Sequence, residues 1–230
     1  MPTTDHSTFL HQAQRLKILC AGIASLILMV GIARFAYTPM LPLMQHQAGL
    51  GIAQGGWLAA FNYVGYFCGA LIAANIVDLV KKDRLYRLGL VVALITTVGL
   101  GLTQNFWAWS VLRFFAGLSS AAGLLLGSGL VMHWLLRHQL RSELGIHFIG
   151  MGAGIFLTAL FVYLAAGQIS WQQHWFWLTA IGLLLAFPAW CWLPRPNISG
   201  YNVSGDKMID HPPSAQFIQT FMLAYVCAGV

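Results

Sequence analysis

Long unbroken runs of apolar residues, separated by short polar stretches, dominate this sequence. Runs at 18–44, 52–77, 85–103, 106–136, 144–166 and 175–193 each approach or exceed the roughly 20 residues that a helix needs to cross a bilayer. The pattern therefore predicts an all-α, polytopic membrane helix bundle with six transmembrane helices. A β-barrel does not fit, because the runs are continuously apolar and do not alternate over about ten residues. A seventh apolar run, 215–230, is too short to span comfortably and reads as a partial helix. The polar arm 1–17 precedes the six-helix region 18–193, and the stretch 194–214 reads as a linker. Pro194, Pro196, Gly200, Gly205, Pro212 and Pro213 give that linker its composition. Pro39 and Pro42 fall near the end of the first run, where they mark either a bend or an ordinary helix end.

Composition agrees with the pattern. Of 230 residues, 58% are hydrophobic and only 8% are charged, far below the roughly 25% of a soluble domain. A net charge of +6 does not indicate nucleic-acid binding, because the basic residues are dispersed between apolar runs. Instead it predicts orientation. Ten of the 12 basic residues lie in the N-terminal arm or in the segments after the second, fourth and sixth runs, with Arg87 at the very start of the third run counted among them. The alternate segments 45–51, 104–105 and 167–174 contain no Asp, Glu, Lys or Arg. The positive-inside rule then puts the N-terminus in the cytoplasm. No removable signal peptide is visible in the first 16 residues.

The other two basic residues, Arg34 and Arg113, lie inside apolar runs, where an arginine costs about 2.5–3.5 kcal/mol at mid-helix. Both fall in the outer half of the membrane on this topology. None of the six runs contains Asp or Glu to pair with them. Each either contacts substrate or is satisfied by snorkelling or by backbone carbonyls of a neighbouring helix. Asn62, Tyr63 and Tyr66, all on the second run, either hydrogen-bond a substrate or pack against a neighbouring helix. His133 and His147, near the inner ends of the fourth and fifth runs, are candidates for a proton relay or simply interfacial histidines. Neither a metal site nor a cofactor is expected, since the histidines lack zincin spacing and the four cysteines form no C-x-x-C pair. The cysteines read as buried thiols acting as small apolar residues. Glycine spacings at Gly65/Gly69, Gly123/Gly127 and Gly150/Gly152/Gly154 predict close helix packing.

The segment Arg113-Phe-Phe-Ala-Gly117, followed by Ala121, Ala122 and Gly123, resembles the fourth-helix pattern of the major facilitator superfamily (MFS) of secondary transporters. Asp78 and the basic cluster after it resemble that family's signature between helices two and three, with Ala74 and Lys81 replacing its glycines. Gly31-Ile-Ala-Arg34-Phe-Ala-Tyr-Thr-Pro39-Met-Leu-Pro42 and Gly56-Trp57-Leu-Ala-Ala-Phe-Asn62-Tyr63 resemble a subgroup labelled YbfB/YjiJ-like. The resemblance implies two six-helix halves and a solute site between them, so that a C-terminal half is needed for function. On this basis the chain supplies the N-terminal half. The resemblance also implies a small-molecule substrate, a bacterial inner-membrane location with the bilayer as partner, and protons as a coupling ion. For that solute site, the intramembrane Arg34 and Arg113 and the polar Asn62, Tyr63 and Tyr66 are the expected substrate-binding residues, and the resemblance implies conformational coupling by Asp78, Arg84, Arg113 and Gly117.

Two alternatives stand beside the transporter reading. One is a non-functional remnant, truncated in its seventh helix. The other is an intramembrane serine enzyme at Leu126-Gly127-Ser128-Gly129, which is disfavoured because no histidine is placed beside Ser128 by sequence. The topology has a direct check. Single cysteines introduced at Gln47, Gln104 and Ser170 are expected to react with an impermeant thiol reagent from outside, and those at Lys82, Gln139 and Gly205 only from inside. Labelling of position 82 from outside overturns the orientation.

Overall fold

In lipid every backbone N–H and C=O must find its partner within the protein, so each apolar run folds as a helix. The computed structural model describes residues 3–138, 144–196 and 220, with side chains from residue 12 onward. Six helices in it are long and apolar enough to cross a membrane: Gln12–Ala48, Ile52–Ala74, Leu79–Leu102, Phe106–Arg137, Leu144–Ala165 and Trp171–Cys191. They are called the first to sixth helices below. The helical conformation preceding the first begins at Thr3. Arg141, Glu143, most of the 194–214 linker and nearly all of the seventh run lie outside the described residues.

The ends of these helices are set by capping residues. Asp78 caps the third helix by accepting from Val80 N–H at 2.8 Å, Asn105 caps the fourth, and Ser170 caps the sixth. Gly49 ends the first helix with φ +68°, a left-handed conformation that suits glycine. Two of these caps correct the boundaries expected from apolar runs. The third helix starts six residues earlier than its run, and the sixth starts at Trp171 instead of 175. The charges from Lys81 to Arg87 therefore belong to a helix and not to a loop.

That shift overturns the expectation of spans without a carboxylate. Asp83 is buried inside the third helix and pairs with Arg87 at 3.0 Å. Arg87 also donates to the carbonyls of Trp190 and Leu193, at 2.6 and 3.0 Å, tying the third helix to the end of the sixth. The pair lies in the first turns of its helix, on a different stretch of the chain from Arg34 and Arg113, and it is satisfied locally. Cys20 and Cys191 are exposed, contrary to the expectation of buried thiols.

The first and fourth helices form the centre of the bundle, with 72% and 67% of their most apolar stretches buried, against 22% for the second and fifth. The most extensive helix–helix contact is between the second and fourth. Glycines make it possible. A Cβ on Gly65 would run into the Phe114 carbonyl, and one on Gly117 into the Asn62 carbonyl. One turn on, a Cβ on Gly69 would stand 2.7 Å from that of Ala121. Gly150 and Gly154 bring the fifth helix against Ile23, Ile27 and Gly31 of the first in the same way, whereas Gly152 faces open space.

Both central helices contain π-helical segments, Ile27–Phe35 and Ala122–Gly127, that the apolar pattern does not predict. In the first helix the irregularity comes just before the prolines, and the helix then continues through Pro42 to Ala48. π-Helical register is uncommon and leaves carbonyls displaced from their usual donors. Counting five residues on from Arg34 reaches Pro39, which has no N–H to give.

The glycine contacts give a graded prediction. Gly65→Val or Gly117→Val forces the second and fourth backbones apart and is expected to destabilise the bundle by about 3 kcal/mol or more. Gly152→Ala, which meets nothing within 4 Å, is expected to be near neutral. Thermal unfolding of the purified protein in detergent checks both. Equal effects at the three positions would overturn the packing account.

Candidate functional site

The carbonyls at the end of the first π segment are where the two membrane arginines meet. Arg113, on the fourth helix and only 3% exposed, donates through one terminal nitrogen to the carbonyls of Ala33 and Arg34, at 3.2 and 3.1 Å. Its guanidinium carbon also lies 4.4 Å from the centre of the Tyr37 ring. Tyr37 in turn donates its hydroxyl hydrogen to the Gly55 carbonyl at 2.9 Å, which links the first helix to the second. Charge-assisted hydrogen bonds contribute about 1.5–3 kcal/mol each, so two of them match the cost of placing an arginine at mid-membrane. Arg113 is thus held by carbonyls of a neighbouring helix, one of the two alternatives open from sequence.

Arg34 has different surroundings. It is half-buried, and among the described residues its side chain makes no hydrogen bond and no ion pair. Aromatic faces surround it instead. Its guanidinium carbon lies 4.0 Å from the Tyr66 ring centre, 5.4 Å from Tyr63 and 5.1 Å from Phe35. Tyr63 and Tyr66 are three residues apart and so share one face of the second helix. Tyr63 is largely exposed and Tyr66 half-buried. The structure therefore gathers Arg34, Arg113, Tyr63 and Tyr66 at one junction of the first, second and fourth helices. Asn62 is at the same junction but turned inward, donating its amide to the Arg113 carbonyl at 2.9 Å.

The remaining sequence candidates are dispersed. Asp78 serves as a helix cap, Gly117 is a point of backbone contact, and Arg84 is exposed on the third helix. His133 is exposed, while His147 is fully buried and its hydrogen-bond partner is Ser128, not His133.

His147 also corrects the reading of Ser128. Its Nε2 lies 2.8 Å from the Ser128 hydroxyl oxygen, so a histidine does stand beside this serine. Sequence spacing hides the pair because its members are on separate helices. The glycine that makes room is Gly22 on the first helix, where a Cβ would collide with the imidazole. The arrangement lacks what acyl transfer requires. His147 Nδ1 has no partner to orient the ring, and both side chains are buried. Among the described residues no group of three or more His, Cys, Asp or Glu is placed to hold a metal.

Comparison with known proteins agrees with the helical architecture. A family model described as "Uncharacterised MFS-type transporter YbfB" matches residues 26–230. An uncharacterised MFS-type transporter, YcaD of Salmonella arizonae, is 25% identical over 170 residues, covering 74% of this chain and 42% of the relative. YceJ of Bacillus subtilis, also an uncharacterised MFS-type transporter, is 31% identical over 97 residues, covering 42% of this chain and 25% of the relative. The chain thus spans about two-fifths, or less, of the length of these relatives. With six membrane-crossing helices and a family match over most of its length, this multi-pass membrane protein belongs to the YbfB-like family of MFS-type transporters.

Proposed function

We propose that the protein works in a secondary active transporter of the bacterial inner membrane, moving a small solute with an anionic group by alternating access. Arg34 is the residue that binds that group, with Arg113 beside it and Tyr63 and Tyr66 framing it. The observation that carries this reading is the state of the Arg34 guanidinium. Three cation–π contacts, at about 0.5–1 kcal/mol each for a half-exposed group, only approach the cost of an arginine at mid-membrane and leave its N–H donors without an acceptor among the described residues. The rest is met if the side chain faces a wet cleft or an anion. A guanidinium offers a planar fork of donors matched to a carboxylate or phosphate. Arg113 already gives one terminal nitrogen to the first helix, so its role is to hold Arg34 in place and to add positive charge.

In this reading a second helical half completes the cleft, since transporter sites lie between repeats near the midplane. The short match to the relatives' length supports that arrangement. Basic residues concentrated on one side support a cytoplasmic N-terminus. Protons are the proposed coupling ion, with His147 as a candidate carrier because its Nδ1 is buried without a partner. Exposed His133 gains no such support. The segment from Asp78 to Arg84 and the Gly117 crossing are proposed to transmit movement between helices.

A thermal-shift screen of carboxylates and organophosphates against the complete transporter tests the site. Stabilising anions are expected to lose their effect in Arg34→Ala while membrane insertion stays normal. Tyr66→Leu should weaken the same anions about fivefold, the size of one lost cation–π contact. Unchanged binding in Arg34→Ala would remove Arg34 from the site and the anion preference with it. The mechanism has a separate check. Transport of a solute identified this way, measured in proteoliposomes, is expected to stop when ion gradients are collapsed, and transport that persists excludes a secondary mechanism.

A further inference from the structure

A second cluster of arginines lies away from the Arg34 site, where the start of the third helix meets the end of the sixth. A cavity of about 500 Å³ opens there, and three arginines border it: Arg84, Arg87 and Arg195. Arg87 is fixed, its charge matched by Asp83 and its terminal nitrogens bound to the Trp190 and Leu193 carbonyls. Arg84 and Arg195 are exposed, and among the described residues neither makes a hydrogen bond or an ion pair. Three positive charges against one negative leave the rim at +2.

Below the rim the lining changes character. Leu88 and Val91 border the same cavity and are 57% and 41% exposed. Ile95 continues that exposed apolar face along the third helix, and Leu184 and Phe187 do so along the sixth. Trp190, 39% exposed, stands at the boundary with its ring 5.2 Å from the Arg87 guanidinium carbon. An amphipathic ring at that level is what a membrane–water interface selects. The site thus combines a cationic rim, an interfacial tryptophan and an apolar wall on two membrane-crossing helices. A soluble anion makes no use of the wall, and a zwitterionic headgroup makes little use of the +2 rim.

We propose that this groove binds an anionic phospholipid, its phosphate held by Arg84 and Arg195 and its acyl chains lying along Leu88 and Val91. Basic pockets between membrane helices are suited to such headgroups, and each basic residue near the surface contributes about fivefold in affinity. The inference is independent of the transported solute and of Arg34.

The test uses the purified 230-residue protein in detergent, titrated with phosphatidylglycerol, phosphatidylcholine or inorganic phosphate, with bound lipid counted by native mass spectrometry. Phosphatidylglycerol is expected to bind about tenfold more tightly than phosphatidylcholine. Arg84→Gln and Arg195→Gln should each weaken it about fivefold, and Arg137→Gln, an exposed arginine outside the groove, should not. Both groove arginines are exposed, and an unchanged thermal midpoint without added lipid confirms that the variants fold. Equal binding of the two lipids, or equal loss in Arg137→Gln, overturns the proposal. So does displacement of the lipid by inorganic phosphate at equal concentration, because the site then reads a bare anion. A dimer that forms without lipid and is split by Arg84→Glu would make the groove a protein contact and overturn it likewise.

Discussion

Inside a bilayer a carbonyl that loses its helical donor has no water to turn to, and each such group costs several kcal/mol. In the first helix the Ala33 and Arg34 carbonyls lie at the end of a π-helical stretch, just before Pro39. Arg113 reaches both from another helix, one guanidinium nitrogen donating to the two carbonyls. Much of the bundle's centre depends on that bond. It sets the distance between the first and fourth helices, places Tyr37 under the guanidinium, and leaves the Arg113 carbonyl facing Asn62 of the second helix. The fourth helix can reach this position because Gly65 and Gly117 let it lie directly against the second.

Two kinds of polarity follow from this layout. One is internal and closed. Arg113, Asn62 and the Asp83–Arg87 pair each find most of their partners among carbonyls and side chains of neighbouring helices. The other is open. Arg34, Arg84 and Arg195 make no hydrogen bond or ion pair among the described residues. In a membrane protein the closed kind holds helices together, and the open kind marks where something from outside the bundle is received. Arg34 and the third–sixth helix groove are separate places of this open kind, the first proposed for solute and the second for lipid.

Most of the architecture is legible in the sequence, because a span of apolar residues has few other ways to fold. The two membrane arginines and the close-packing glycines are legible for the same reason: each is an exception inside an apolar run. What escapes has a common cause. The π segments Ile27–Phe35 and Ala122–Gly127 have the same composition as the regular helix around them. Asp83 and Arg87 look like loop charges until Asp78 is recognised as a helix cap. Ser128 and His147 meet only through the rotation of separate helices, and their one local trace is the missing side chain at Gly22. Single-run patterns carry burial and length, but not the rotation that brings two helices' polar residues together.

The bond from Arg113 ends on main-chain oxygens and asks nothing of the side chains at positions 33 and 34. Every amino acid supplies the same carbonyl. The joint between the first and fourth helices is thus indifferent to what projects from residue 34, and the chemistry presented there can change without loosening the scaffold. Substitution at that position can then vary the exposed chemistry while keeping one architecture.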